Sequence, residues 1–124
     1  MGRPAVASAE MVRPNGFPLR VVESLPGAVE RIVEVLSPER IVLFGSYAYG
    51  TPDGNSDVDL LVVMQTDLPS HERYLAVSRL LRPRPFPVDI LVKTPAEVER
   101  SLAEGDFFVR EILSRGEVLY ERGQ

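Results

Sequence analysis

"GSYAYGTPDGNSDVDLLVVM", residues 45–64, decides the fold and the chemistry together. Gly45 and Ser46 close an apolar run, "RIVLF" at 40–44. "TPDGNS" at 51–56 is turn chemistry, five of its six residues coming from the turn-forming set. "DVDLLVVM" at 57–64 is a second apolar run, and it opens on two aspartates. In a strand, residues i and i+2 point to one face, so Asp57 and Asp59 project together while Val58, Leu60 and Val62 face a core. Their carboxylates stand roughly 6 to 7 Å apart, from a rise of about 3.3 Å per residue, and repel each other.

Working outward, "PGAVERIVEVL" at 26–36 spaces Val29, Ile32, Val33 and Leu36 as a helix, with Pro26 suited to its first turn. Ser37-Pro38 ends it. Residues 40–44 read as a buried strand, with Ser46 placed to cap a short helix after it. "SHERYLAVSRLL" at 70–81 predicts a helix with Tyr74, Val77 and Leu81 on one stripe, stopped by the prolines of "RPRPFP". "VDILVK" at 88–93 is a third strand, carrying Asp89 within an apolar run. Thr94, Pro95 and Glu97 make a capping box and first turn for the next helix. "DFFVREILSR" at 106–115 pairs Phe108 with Ile112 and Val109 with Leu113; Gly116 stops it before a last strand, "EVLYE". Pro4, Pro14, Gly16 and Pro18 break any periodicity before that, so residues 1–19 read as a flexible extension and 20–124 as one domain. Helices and strands interleave without strict βαβ regularity, which favours an α/β or α+β sheet with helices packed on one face.

The bulk composition narrows the function classes. The chain has 124 residues, 44% of them hydrophobic and 26% charged, enough for one core. No run approaches a membrane span, and the N-terminus does not read as a secretory signal. With no cysteine, disulfides and thiolate sites are excluded, and a cytoplasmic location is expected. A net charge of −4 argues against direct binding to nucleic-acid backbones.

Taken singly, either aspartate of the second strand reads as a solvated strand end. The trio with Asp89 reads differently. If the third strand neighbours the second, its carboxylate lies about 5 Å away, the interstrand spacing. Three acids on one partly buried face need a neutralising cation, and oxygen ligands alone suit Mg²⁺ or Mn²⁺. His71 stands alone, which argues against zinc. A calcium loop fails because Val58 and Met64 stand where Gly and Glu are needed. A P-loop fails on Pro52 and the missing lysine. Asp53 belongs to a turn. Gly45-Ser46 in isolation is a plain strand-to-helix turn; ahead of the aspartates it becomes a close-approach point for a phosphate.

Gly45-Ser46, ten residues, then Asp57-Val58-Asp59 resembles the GS-x10-D-x-D signature of the polymerase-beta-like nucleotidyltransferase superfamily. "GSYAYG…SDVDLLV" is similar to its small prokaryotic branch, the MNT-type minimal nucleotidyltransferases. "VDILVKTPAEVE" resembles the strand bearing that family's third carboxylate, and "REILSRGEVLYE" its C-terminal end. The resemblance spans roughly residues 20 to 122. It implies a small mixed β-sheet flanked by helices, and two Mg²⁺ ions held by Asp57, Asp59 and Asp89. It also implies Gly45 and Ser46 on the triphosphate of ATP or another NTP, and Asp89 helping to deprotonate an acceptor hydroxyl. Tyr49 stands where many relatives carry an arginine that touches phosphate. Members this small are similar to the antitoxin half of MNT–HEPN toxin–antitoxin pairs, which implies a HEPN-type toxin partner whose tyrosine is adenylylated. The competing expectation is an antitoxin that keeps this fold and neutralises its partner by binding alone. Oligomeric state stays open.

Arg73, Arg79, Arg82 and Arg84 crowd fourteen residues with one acid, Glu72. They read as a solvated helix face and linker, or as a docking surface for an acidic partner or for RNA.

Overall fold

The computed structural model describes residues 19–50, 56–84 and 86–123. Its elements run α1 (Leu19–Leu36), β1 (Arg40–Phe44), α2 (Ser46–Tyr49), β2 (Val58–Val63), α3 (Ser70–Leu80), β3 (Val88–Lys93), α4 (Pro95–Ala103), α5 (Phe107–Arg115) and β4 (Glu117–Glu121). The expected extension over 1–19 falls almost wholly outside the described residues, as does Asp53.

Four strands form one mixed sheet in the order β3-β2-β1-β4. β1 is antiparallel to β2 and β4, and β2 is parallel to β3. A parallel pair needs a crossover, and α3 supplies it. Helices cover both faces of the sheet, not one. Ile41, Leu43, Val58, Leu60 and Val62 pack with Val21, Leu25, Ile32 of α1 and Val77 of α3. Val42, Leu61 and Val63 pack on the other face with Val98 of α4 and Val109 and Ile112 of α5. The reason lies in β2: both of its residue sets are apolar beyond Asp59, so both faces need cover.

α1 begins about two turns before Pro26, which lies inside it. Val21 and Leu25 continue the stripe of Ala28, Val29, Ile32 and Val33, all buried. That burial, at about 1.5 to 3 kcal/mol per large apolar side chain, outweighs one lost helix hydrogen bond. α2 also departs from expectation: its N-cap is Gly45, Ser46 is its first residue, and no side-chain cap bond forms. The capping box of α4 forms as read, Thr94 Oγ1 accepting from Glu97 N at 3.1 Å and Glu97 Oε1 from Thr94 N at 2.9 Å.

Two of the four arginines are structural. Arg73 is 9% exposed; its Nε donates to the Leu68 carbonyl at 2.6 Å and its Nη1 to Glu97 Oε1 at 2.7 Å. It therefore ties α3 to the start of α4 rather than facing solvent. The Arg73 hydrogen bond, then that from the Thr94 backbone, holds the Glu97 carboxyl below the usual carboxylate range. Arg84 Nη2 donates to Tyr74 Oη at 2.8 Å and Ser78 Oγ at 3.0 Å, closing the loop before β3. Arg79 and Arg82 are exposed. Replacing Arg73 by Leu removes both anchors and leaves the Leu68 carbonyl without its donor. Stability should fall by about 2 kcal/mol, discounted because Glu97 is partly solvated, as read by urea denaturation.

Candidate active site

The site lies where the α4–α5 cover ends. The register sets Phe44 opposite Asp59 and Asp59 beside Asp89, so the three stand in one row across β1, β2 and β3. Leu61 and Leu91, two residues further on, belong to the covered part of the same face. The acids thus occupy the open end of an otherwise apolar surface. Asp57 precedes β2 and is exposed, Asp59 is half-buried, and Asp89 is exposed.

Gly45 follows Phe44 and turns the chain onto Asp59. Its φ is +76° and ψ −157°, a conformation that L side chains rarely adopt. A Cβ there would overlap Asp59 Oδ2 and lie 3.1 Å from its Cγ. The glycine backbone therefore packs directly against the carboxylate. From this bend α2 rises, with Ala48 and Tyr49 N–H groups both donating to the Gly45 carbonyl at 3.0 Å. Gly45 thus meets Asp59 in space, and Ser46 follows it as the first residue of α2.

Asp59 carries the electrostatic load of the site. Its pKa is pushed up from 3.8 to about 6, first by burial, then by Asp89, then by Asp57. No cation of the described residues is among the causes. Both neighbouring carboxylates therefore act on Asp59. Among the described residues, however, no three acidic or histidine side chains converge on a single point able to grip an ion. The backbone register brings Asp59 and Asp89 together; the side chains do not close into a ready cage. The donor set is nonetheless all oxygen and short of positive charge, which fits a hard divalent cation and not zinc.

Two contacts escaped the sequence reading. Phe44 meets Phe108 of α5 edge-on, ring centroids 5.8 Å apart. The Arg115 guanidinium carbon lies 4.0 Å from the centroid of the Tyr49 ring. The signal for both was the α5 stripe of Phe108, Glu111 and Arg115. His71 is exposed and takes no part. One surface cleft lies between α1 and the end of α3, lined by Glu23, Arg31, Leu80 and Arg82.

The family model of the nucleotidyltransferase domain matches residues 24–119, which include Gly45, Ser46, Asp57, Asp59 and Asp89. The chain belongs to the nucleotidyltransferase domain family. It is a nucleotidyltransferase by fold and family, and solved structures agree. A protein of Sulfolobus solfataricus assigned as a nucleotidyltransferase superposes with a TM-score of 0.54 at 24% identity, over 86% of this chain and 92% of that one. A chain of the MntA–HepT toxin–antitoxin complex superposes with a TM-score of 0.55 at 20% identity, over 79% of this chain and 73% of that one. That complex is a variant with two aspartates, spaced one residue apart, changed to glutamate. At these identities the likeness shows the fold. No curated protein matches the chain. Among the described residues no helix is long and apolar enough to cross a membrane.

Proposed function

We propose that the nucleotidyltransferase moves a nucleoside monophosphate, AMP from ATP in the first instance, onto a tyrosine hydroxyl of a HEPN-type toxin, as the antitoxin of that pair. The observation that carries the reading is the half-buried Asp59 carboxylate, pressed by the Gly45 backbone and in register with Asp89. A charge so placed weakens the metal-free fold, and a purely structural strand end has no need of it.

In this reading Gly45 lets the triphosphate approach the backbone closely, and the Ser46 hydroxyl donates to a phosphate oxygen. Asp57, Asp59 and Asp89 would hold Mg²⁺, two ions with Mn²⁺ as a substitute, which supplies charge neutralisation at the phosphates. Asp89, exposed at the edge strand, takes the proton of the acceptor hydroxyl. The acceptor oxygen bonds to the α-phosphorus, the bond between α- and β-phosphates breaks, and pyrophosphate leaves with the electron pair. The similarity to a chain of MntA–HepT supports a toxin as partner. So does α5, which exposes Phe107 at 81% and Phe108 at 54% beside the site.

Those exposed rings also keep alive a second reading, in which the protein neutralises its partner by binding alone. Incubation with ATP labelled at the α-phosphate, Mg²⁺ and the product of the adjacent gene separates the two. Label should pass to the partner and vanish with the double change Asp57→Asn, Asp59→Asn. An unlabelled partner that is still inhibited by the double variant would leave only the binding role.

A further inference from the structure

Helix α5 touches both flanks of the glycine–serine turn, Phe44 on one side and Tyr49 on the other. Phe108, Glu111 and Arg115 stand at i, i+3 and i+7, one stripe of the helix. At one end of the stripe Phe108 meets Phe44, the residue before Gly45. At the other, Arg115 lies over Tyr49, the residue before Gly50. Gly45 and Ser46 lie between those two contacts.

The Arg115 end is held firmly. The next residue, Gly116, leaves no room for a side chain: a Cβ would come within 2.6 Å of Val42 Cγ1 and 2.8 Å of the Leu43 carbonyl. Glu117 then pairs with Leu43, two residues before Gly45. Tyr49 is tied to the same bend, since its N–H donates to the Gly45 carbonyl. The backbones bearing guanidinium and ring are thus both fixed to the end of β1. A guanidinium flat on an aromatic face is restrained at little entropic loss. Arg115 Nη1 also accepts the company of Glu111, donating to its Oε2 at 3.0 Å. The side chain is still 55% exposed, so the rest of its fork of N–H donors faces solvent.

The phosphate tail of a nucleotide seated at that turn carries several negative charges, and a fixed guanidinium is suited to hold it. We propose that Arg115, held over the Tyr49 ring, binds the phosphate tail of the nucleotide beside the Gly45–Ser46 turn. Tyr49 is then a platform that positions the guanidinium, acting through its ring and not its hydroxyl. The assignment rests on the nucleotide-transfer reading above and adds to it the residue that holds the leaving pyrophosphate.

Calorimetric titration with inorganic tripolyphosphate, and separately with ATP and Mg²⁺, tests it on the full chain. Arg115→Ala should weaken both ligands about tenfold or more, the worth of a charge-assisted hydrogen-bond pair, at an unchanged melting temperature. Tyr49→Leu should weaken both by a smaller factor, and Tyr49→Phe should leave both unchanged. Arg110→Ala, on α5 but off the stripe, should stay within about twofold of the wild type. Wild-type ATP affinity in both Arg115→Ala and Tyr49→Leu overturns the assignment and leaves the nucleotide-transfer reading standing. An equal loss in Arg110→Ala overturns it as a general charge effect. Failure of the wild type to bind either ligand overturns both.

Discussion

Asp59→Asn should lower nucleotidyl transfer by about three orders of magnitude and make the metal-free fold more stable at neutral pH. The two effects have one cause. The folded state holds the Asp59 proton up to about pH 6, whereas the unfolded chain releases it near 3.8. Between those values the native state binds more protons than the unfolded one, so stability falls as pH rises. The contribution is full below about 3.8, declines through the window, and is gone above about 6. Asp59 is partly solvated, so the drop is discounted to about 1 to 2 kcal/mol. Asparagine has nothing to titrate. The stability difference between variant and wild type should therefore open from pH 4 toward pH 6.5 and then stay level, as measured by urea denaturation without divalent ions. Mg²⁺ should raise the melting temperature of the wild type and leave that of Asp59→Asn unmoved. Parallel pH profiles for the two proteins would show that this carboxylate bears no burden, and the argument from it would fall.

The acids and the bend were legible in the sequence because strand periodicity is rigid. Asp57 and Asp59 alternate with Val58 and Leu60, and a two-residue repeat leaves one choice of face. Asp89 needed one assumption, that β3 lies beside β2, and the parallel pairing supplies it. The capping box at Thr94 and the stop at Gly116 were equally readable, since each depends on local hydrogen bonds or space. The start of α1 was not. Pro26 reads as a first turn in isolation, and only the burial of Val21 and Leu25 by the far face of the sheet overrides it. Arg73 was misread for the same reason: its partner Glu97 is 24 residues away, and no local pattern brings them together. The second covered face was hidden because Leu61 and Val63 look like a continuation of one apolar run. Their separate core appears only when α4 and α5 fold over them. What the sequence could not give was side-chain convergence. Backbone register fixes where carboxylates start, and rotamers decide where their oxygens end.

Gly45→Ala should be the most damaging single change outside the acids. Two penalties coincide there. The backbone sits at φ +76° and ψ −157°, where an L residue costs about 1 to 3 kcal/mol. The added methyl also overlaps Asp59 Oδ2 and lies 3.1 Å from its Cγ. Relief requires a turned Asp59 side chain or a shifted bend. Either one moves a carboxylate away from the row it shares with Asp89. Displacement of about 1 Å at such a site lowers turnover about a hundredfold. Stability should fall by about 3 kcal/mol in total, and transfer by about two orders of magnitude or more. Gly50 provides the comparison. It too has a positive φ, +87°, but a Cβ there meets nothing within 4 Å. Gly50→Ala should therefore show the backbone penalty alone, about 1 kcal/mol, and keep transfer within a few-fold of the wild type. A Gly45→Ala protein that stays as active as Gly50→Ala would mean that the contact with Asp59 has no part in catalysis. The bend would then be only a way of turning the chain from β1 into α2, and the juxtaposition of glycine and carboxylate would have to be explained by packing.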